Sequence, residues 1–384
     1  MKYKYMLNPP DYAIGESERL YEEMAAKGWL LTRRGSHFSK LRRDEPQTLN
    51  YRVELSRPGL FDDAALPEEQ IALYEEAGWS HVTSCGLVHI FSSPEGSGAP
   101  EFYSDPRQQA ATLRGLRKNY RIAMFVALFF LLLRLALDSI TYNNDWSQLL
   151  RHILFDIAQS LYVNTALTLF ICISVFAGIF FFIYGYARTL LLMRRLRRGK
   201  PIDRSPRKRY RVMRALRLSL ITVCAVLLLL SLLQFAATRS YDLPESADGP
   251  YLLLSDLGFD GERRSFKNLT SRETRSRSLL ADYIKTSECL GSSSYLDNEV
   301  YILRSPRDAE RLLRILVAAE PYIHFYIRGE LSKMHHDGLD EVWGGEGRYF
   351  ARRGNTVWRL WCSLRQDEPE FTRLLLDRLA ALEI

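Results

Sequence analysis

Three apolar stretches, at 122–140, 163–186 and 218–237, limit what this chain can fold into more than anything else in it. Each runs for about 19–24 residues, and a helix rising about 1.5 Å per residue crosses a hydrocarbon core roughly 30 Å thick at that length. Backbone polar groups in lipid have only one another for partners, so such stretches become helices. The chain therefore reads as an integral membrane protein with three spans.

The polar connection between the second and third stretches, 187–217, fixes the expected orientation. It holds thirteen basic residues (Arg188, Arg194, Arg195, Arg197, Arg198, Lys200, Arg204, Arg207, Lys208, Arg209, Arg211, Arg214 and Arg217) and one acid, Asp203. This excess is larger than the net charge of the whole chain, +7 at pH 7, so the rest of the protein is acidic. Basic connections stay on the cytoplasmic side of a membrane. Arg114, Arg117, Lys118 and Arg121 ahead of the first stretch agree, and 141–162 carries only Arg151. The expectation is a multi-pass protein of the cell membrane with a cytoplasmic N-terminus and an extracytoplasmic C-terminus. Residues 1–7 are too polar and too short for the apolar centre of a signal peptide, which leaves the first stretch as the insertion signal.

Because one juxtamembrane loop supplies the basic charge, a nucleic-acid partner is not expected. The partner that suits it is an anionic headgroup layer, met by Arg194, Arg195, Arg197, Arg198, Lys200, Arg207, Lys208 and Arg209. Aromatic residues are spread through strands and spans, and no stacking platform for bases can be picked out of the sequence.

Residues 1–105 read as a cytosolic α+β domain with an internal duplication. Segments 18–29 and 69–79 share the pattern of a helix closed by a glycine (Gly28, Gly78) with a tryptophan (Trp29, Trp79) opening the next strand. Strands are expected at 2–6, 29–32, 37–41, 49–55, 79–84 and 87–92. That order suits a ferredoxin-like, split βαβ sandwich. The paired helix-Gly-Trp units, Lys2-Tyr3-Lys4-Tyr5, Asn50-Tyr51-Arg52-Val53-Glu54 and Glu101-Phe102-Tyr103-Ser104-Asp105 ahead of the spans resemble the domain-of-unknown-function family 2812. The resemblance covers roughly the first 105 residues. It implies a bacterial, membrane-associated protein of the kind that accompanies PadR-type transcriptional regulators, and it implies no catalytic residues.

Residues 106–240 form the membrane region. Within it, Trp146, Leu149, Leu150, Ile153, Leu154, Ile157 and Leu161 fall on one helical face, with Asp145 as N-cap. That helix, 146–161, lies either in the outer membrane interface or against an outer domain. Residues 241–384 read as an extracytoplasmic α+β domain: strands at 279–286 and 299–303, a helix at 306–319 opened by Ser305 and Pro306, a hairpin of 341–350 with 356–362, and a closing helix at 369–382. The polar stretch 262–277 is expected to be mobile.

Chemistry-bearing residues are few. On the oxidising side, Cys289 and Cys362 are the two cysteines available for a disulfide. His335, His336, Asp337 and Asp340, with His324 nearby, have the donor types of a zinc or manganese site, although their spacing matches no metal motif and a polar loop before a hairpin is the favoured reading. Arg134 and Asp138, four apart in the first span, suit a local ion pair or a transport path. Nucleotide-binding, nucleophile-elbow and Cys-pair motifs are absent, so no cofactor is expected. The reading is a non-catalytic protein that joins an outer domain to an inner one in sensing, regulation or assembly, with an unidentified protein or a second copy of itself as partner. Its rivals are an outer metal-dependent hydrolase and an accessory subunit of a transporter.

Overall fold

A computed structural model describes residues 2–56, 66–141, 146–204, 208–263, 271–291, 294–323, 331–363 and 369–383. The chain divides into two units, residues 1–133 with 175–221 and residues 134–174 with 222–384.

The first unit opens with β1 (Tyr3–Leu7), α1 (Ile14–Ala25), β2 (Trp29–Arg34) and β3 (Phe38–Arg43), followed by β4 (Leu49–Leu55), α2 (Glu68–Glu76), β5 (Ser80–Cys85) and β6 (Val88–Pro94). The duplication seen in the sequence is thus a repeated βαββ unit. Both copies pair their strands antiparallel in the order first, third, second: β1-β3-β2 and β4-β6-β5. Gly28 and Gly78 follow the two helices with φ of 73° and 91°, the left-handed conformation that ends a helix and that a side chain resists. The ferredoxin-like expectation differs from this arrangement, because the strands build two three-stranded sheets and not one split βαβ sheet. Order of elements along a sequence does not say which strand edges meet.

From this domain α3 (Pro106–Thr141) continues to the first apolar stretch. The domain core is made of Met6, Ile14, Tyr21, Leu31, Leu41, Val53 and Ile90, and it takes in Ala110, Leu113 and Leu116 of α3. Helix α4 (Trp146–Val163) comes next, and then α5 (Thr165–Arg197), whose last turns add Met193 and Leu196 to that same core. Where α3 passes α5, a Cβ on Gly185 would meet the Tyr120 ring at 2.7 Å, so only glycine allows the approach. Together with α6 (Lys208–Ala237), α3 and α5 are long and apolar enough to cross a membrane.

The second unit is built on one antiparallel sheet. After α6 come β7 (Arg239–Asp242), β8 (Arg272–Arg277), β9 (Ala281–Leu290), β10 (Ser294–Leu303), α7 (Pro306–Ile323), β11 (Ser332–Met334), β12 (Glu341–Gly345), β13 (Arg348–Arg353), β14 (Thr356–Cys362) and α8 (Pro369–Ala381). The eight strands run in the order β11-β12-β13-β14-β10-β9-β8-β7. One face buries Leu296, Val300, Trp358 and Leu360 with Tyr251, Leu252, Leu253, Leu254 and Leu257 and with Phe371, Leu375 and Leu379 of α8. The other buries Tyr283, Tyr301, Phe350 and Val357 with Leu312, Leu313 and Leu316 of α7 and with Phe155 and Tyr162 of α4. Ser305 caps α7 by accepting the Asp308 N–H at 3.2 Å.

Two expectations change here. Residues 272–277, expected to be mobile, are strand β8, hydrogen-bonded between β7 and β9; residues 264–270 lie outside the described residues. The stretch 341–350 is itself a hairpin turning at Glu346 and Gly347, so β12, β13 and β14 replace two strands by three. Helix α4 resolves its two readings by face. Phe155 and Tyr162 pack on the sheet, and at about 100° per residue they lie opposite Ile157, which is 45% exposed and belongs to the apolar stripe. The sheet therefore holds the helix by the face that the sequence pattern did not mark. Asp145 lies outside the described residues.

Candidate functional site

The first unit contains a chain of alternating charges that begins on α1. Glu18 and Glu22 are four apart on one helical face, over the edge strand β4. An edge strand has outward N–H groups with no neighbouring strand to take them. Here carboxylates take them: Glu22 Oε1 accepts from Tyr51 N and Glu18 Oε1 accepts from Val53 N, both at 3.1 Å. The second oxygen of Glu18 accepts from Arg204 Nε at 2.8 Å. Arg204 also reaches Glu101, at 3.3 Å, and Glu101 is held bidentately by Arg52 through Nε at 2.8 Å and Nη2 at 2.6 Å. Arg52 closes the series on Glu22 at 3.5 Å. Glu18, Arg52, Glu101, Tyr103, Gln109 and Arg204 line a cavity of about 360 Å³.

Burial sets the protonation of this chain. Glu18 is 2% exposed, and removal from water pushes its carboxyl up to about 7 despite the opposing pull of Arg204 and the Val53 N–H. Glu101 goes the other way, held below the ordinary carboxylate range by its hydrogen bonds to Arg52.

Arg204 belongs to the basic loop, and more of that loop is seated on the domain. A Cβ on Gly15 would lie 2.5 Å from the Asp203 carbonyl oxygen and 2.9 Å from Ile202 Cγ2, so the loop backbone rests on α1 where the helix has no side chain. Asp203 pairs with Arg195 at 3.5 Å, and Arg217 Nη1 donates to the Asn8 carbonyl at 3.2 Å. Of the residues expected to meet lipid, Arg194, Arg197, Arg198 and Lys200 are exposed, and Arg195 is half-buried beside Asp203. Arg207 and the side chains of Lys208 and Arg209 lie outside the described residues. Sequence reasoning counted Arg204 as one charge among thirteen. Its neighbours Pro201, Ile202 and Asp203, apolar or acidic within a basic run, were the available signal that this part touches protein.

The second unit has a polar junction of its own. Lys285, Glu299 and Arg359 stand in register across β9, β10 and β14, and the central carboxylate takes Lys285 at 3.3 Å and Arg359 at 3.0 Å. Burial would raise Glu299, but the two cations hold it below the usual carboxylate range. From α4, Gln159 Nε2 donates to Glu299 Oε2 at 3.2 Å and to the buried Tyr301 hydroxyl at 2.9 Å. Ser278 Oγ donates to the Tyr162 carbonyl at 2.5 Å, and Gln234 of α6 donates to the Val163 carbonyl at 2.8 Å.

The other candidate residues do not converge. His335 meets Asp337 at 3.2 Å in full exposure, His336 meets Asp377 at 3.0 Å, and Asp340 accepts from Arg352 at 2.8 Å and from Gly354 N at 2.7 Å. No group of three metal-type ligands forms among the described residues, and His324 lies outside them. The disulfide expectation fails on geometry. Cys289 opposes Tyr295 and Cys362 opposes Leu296, so β10 stands between them, and their partners are sequence neighbours that point to opposite faces. Two strand spacings put their Cα atoms roughly 9–10 Å apart, beyond the reach of a disulfide, and neither is joined in one. The side chain of Asp138 lies outside the described residues, which leaves its pairing with Arg134 unplaced.

This geometry belongs to a segment with relatives. Residues 13–126 match the family model described as "Protein of unknown function (DUF2812)". The resemblance drawn from the Gly-Trp units, residues 50–54 and residues 101–105 is thereby borne out; the match begins after Lys2-Tyr3-Lys4-Tyr5 and runs past residue 105 into the apolar part of α3. It contains Gly15, Glu18, Arg52 and Glu101. Arg204 comes from outside the DUF2812 region. No curated protein and no solved structure matches the chain.

Proposed function

We propose that this is a non-catalytic, multi-pass protein of a bacterial cell membrane that couples an extracytoplasmic C-terminal domain to the cytoplasmic DUF2812 region, in a sensing or regulatory role. The observation that carries the reading is α5. Only Asn164 separates it from α4, whose Phe155, Gln159 and Tyr162 are fixed on the C-terminal sheet, and it ends with Met193 and Leu196 in the core of the DUF2812 region. A continuous helix that follows an element fixed on one core and ends in another carries a displacement from the first to the second. The loop that follows it, seated on Gly15 and on Glu18 through Arg204, is the element whose docking such a displacement changes. Two arrangements of that loop, docked and released, are the two states the mechanism requires.

The sidedness is tested with single cysteines and a membrane-impermeant maleimide in intact cells. Leu279 and Leu73 are 58% and 61% exposed. Leu279→Cys is expected to label in intact cells, and Leu73→Cys only after permeabilisation. Labelling in the reverse order overturns the orientation.

A further inference from the structure

The open face of the first sheet has a composition that the sequence does not display. Opposed residues in antiparallel strands point to the same side, so the register sorts the sheet into two faces. Leu41 and Leu31, opposite the exposed Lys4 at the start of β1, form one row of the other face, and Met6, Ser39 and Arg34 the next. The outward rows are Tyr3, Arg42 and Leu30, then Tyr5, Lys40 and Arg33, then Phe38 opposite Leu7, which is buried. Arg33 reaches the outward face only because the register shifts between Leu31 and Arg33, a bulge without which alternation would have turned it inward. Tyr3, Tyr5 and Phe38 are 48%, 67% and 52% exposed. Lys40 Nζ lies 3.9 Å from the centre of the Tyr3 ring. Arg42 is paired with Asp44 at 2.7 Å, whereas Lys40 and Arg33 make no ion pair among the described residues.

We infer that this aromatic and basic face is a docking surface for an anionic phospholipid layer, a proposal that rests on the membrane reading above. Two observations favour that occupant. The outward positions carry cations and no acid, complementary to anionic headgroups, and exposed tyrosines with basic neighbours suit the wet edge of a bilayer. The Leu7 and Phe38 end of the face is also tied to the third apolar helix. Asn8, the residue after β1, donates from N to His37 O at 2.8 Å and from Nδ2 to Gly35 O at 2.6 Å, and its own carbonyl accepts from Arg217. Arg217 immediately precedes the apolar stretch 218–237, so this end of the sheet starts where the headgroups are. The same face would stack unpaired bases, which makes single-stranded nucleic acid the rival occupant.

The test places a photoreactive benzoylphenylalanine at Tyr5 of the full chain in native membranes. Leu73, exposed on α2, is the soluble-surface control, and Leu229, 57% exposed on α6, is the bilayer control. The expected result is a phospholipid adduct at Tyr5 well above Leu73. Lys40→Ala or Arg33→Ala should each lower its yield by roughly fivefold, the equivalent of about 1 kcal/mol per basic residue near an anionic surface. An adduct at Tyr5 with nucleic acid or protein, or a lipid yield no greater than at Leu73, overturns the proposal while Leu229 still reports lipid. Failure of Leu229 itself to capture lipid overturns the membrane reading and this proposal with it.

Discussion

Arg204 donates its Nε–H to Oε2 of Glu18 at 2.8 Å, joining a loop residue that is 38% exposed to a carboxyl that is almost wholly buried. The partners are unequal. Arg204 can return to water, while Glu18 would remain buried between α1 and β4 with one oxygen left to the Val53 N–H. Stripping a partner from a buried charged group costs about 1–3 kcal/mol, so Arg204→Ala is expected to raise hydrogen exchange of 201–204 by about tenfold or more. Arg204→Lys rescues this only in part, because an ammonium cannot serve Glu18 and Glu101 with a planar fork. Unchanged exchange in Arg204→Ala would show that the contact does not hold the loop.

The proton competes with Arg204 for the same oxygen. The folded value of Glu18, about 7, lies above its ordinary 4.5, so its contribution to stability is whole below about 4.5 and is lost as pH rises through 7. That difference corresponds to about 3 kcal/mol across the window. Glu18→Gln is expected to flatten the pH dependence of unfolding between those values and to leave the loop loosely held throughout. A wild-type unfolding profile without a downward slope over this interval would contradict the assignment.

Gly15 separates helix propensity from docking. Alanine in a helix is worth up to about 1 kcal/mol over glycine, which alone predicts a more stable α1. The Asp203 carbonyl, 2.5 Å from the new Cβ, has no room for it. Gly15→Ala is therefore expected to release 201–204 while the DUF2812 region stays folded, seen as faster proteolysis of the loop with unchanged far-ultraviolet circular dichroism. A protected loop would mean that the backbone shifts at little cost.

In the C-terminal unit, Phe155 and Gln159 fasten α4 by different means. Phe155, 3% exposed, is expected to cost about 3–5 kcal/mol as alanine, and Gln159→Ala about 1–2 kcal/mol through the buried Tyr301 hydroxyl and Glu299. Thermal unfolding of the full chain in detergent checks both. No loss in Gln159→Ala would mean that the helix is held by packing alone.

Much of this was legible in the residues. Long apolar runs need no partner to declare themselves, and Gly28 with Trp29 and Gly78 with Trp79 marked the repeat because helix ends are written locally. What stayed hidden depended on edges and faces. Strand β8, Arg-Glu-Thr-Arg-Ser-Arg, has no apolar alternation and owes its order to the strands on both sides. Cys289 and Cys362 were sorted correctly to one domain, yet the pleat of β10 sends them to opposite faces. Glu18 and Arg204, 186 residues apart, look in sequence like ordinary helix and loop charges.

The central claim is that the two units are coupled through α5, and hydrogen exchange of the full chain in lipid nanodiscs tests it most directly. Gln159→Ala, which disturbs only the C-terminal junction, is compared with the wild type at the Val53 amide, held by Glu18, and at 201–204. The account predicts altered protection at both places in the first unit. Changes confined to α4 and the C-terminal sheet would contradict it.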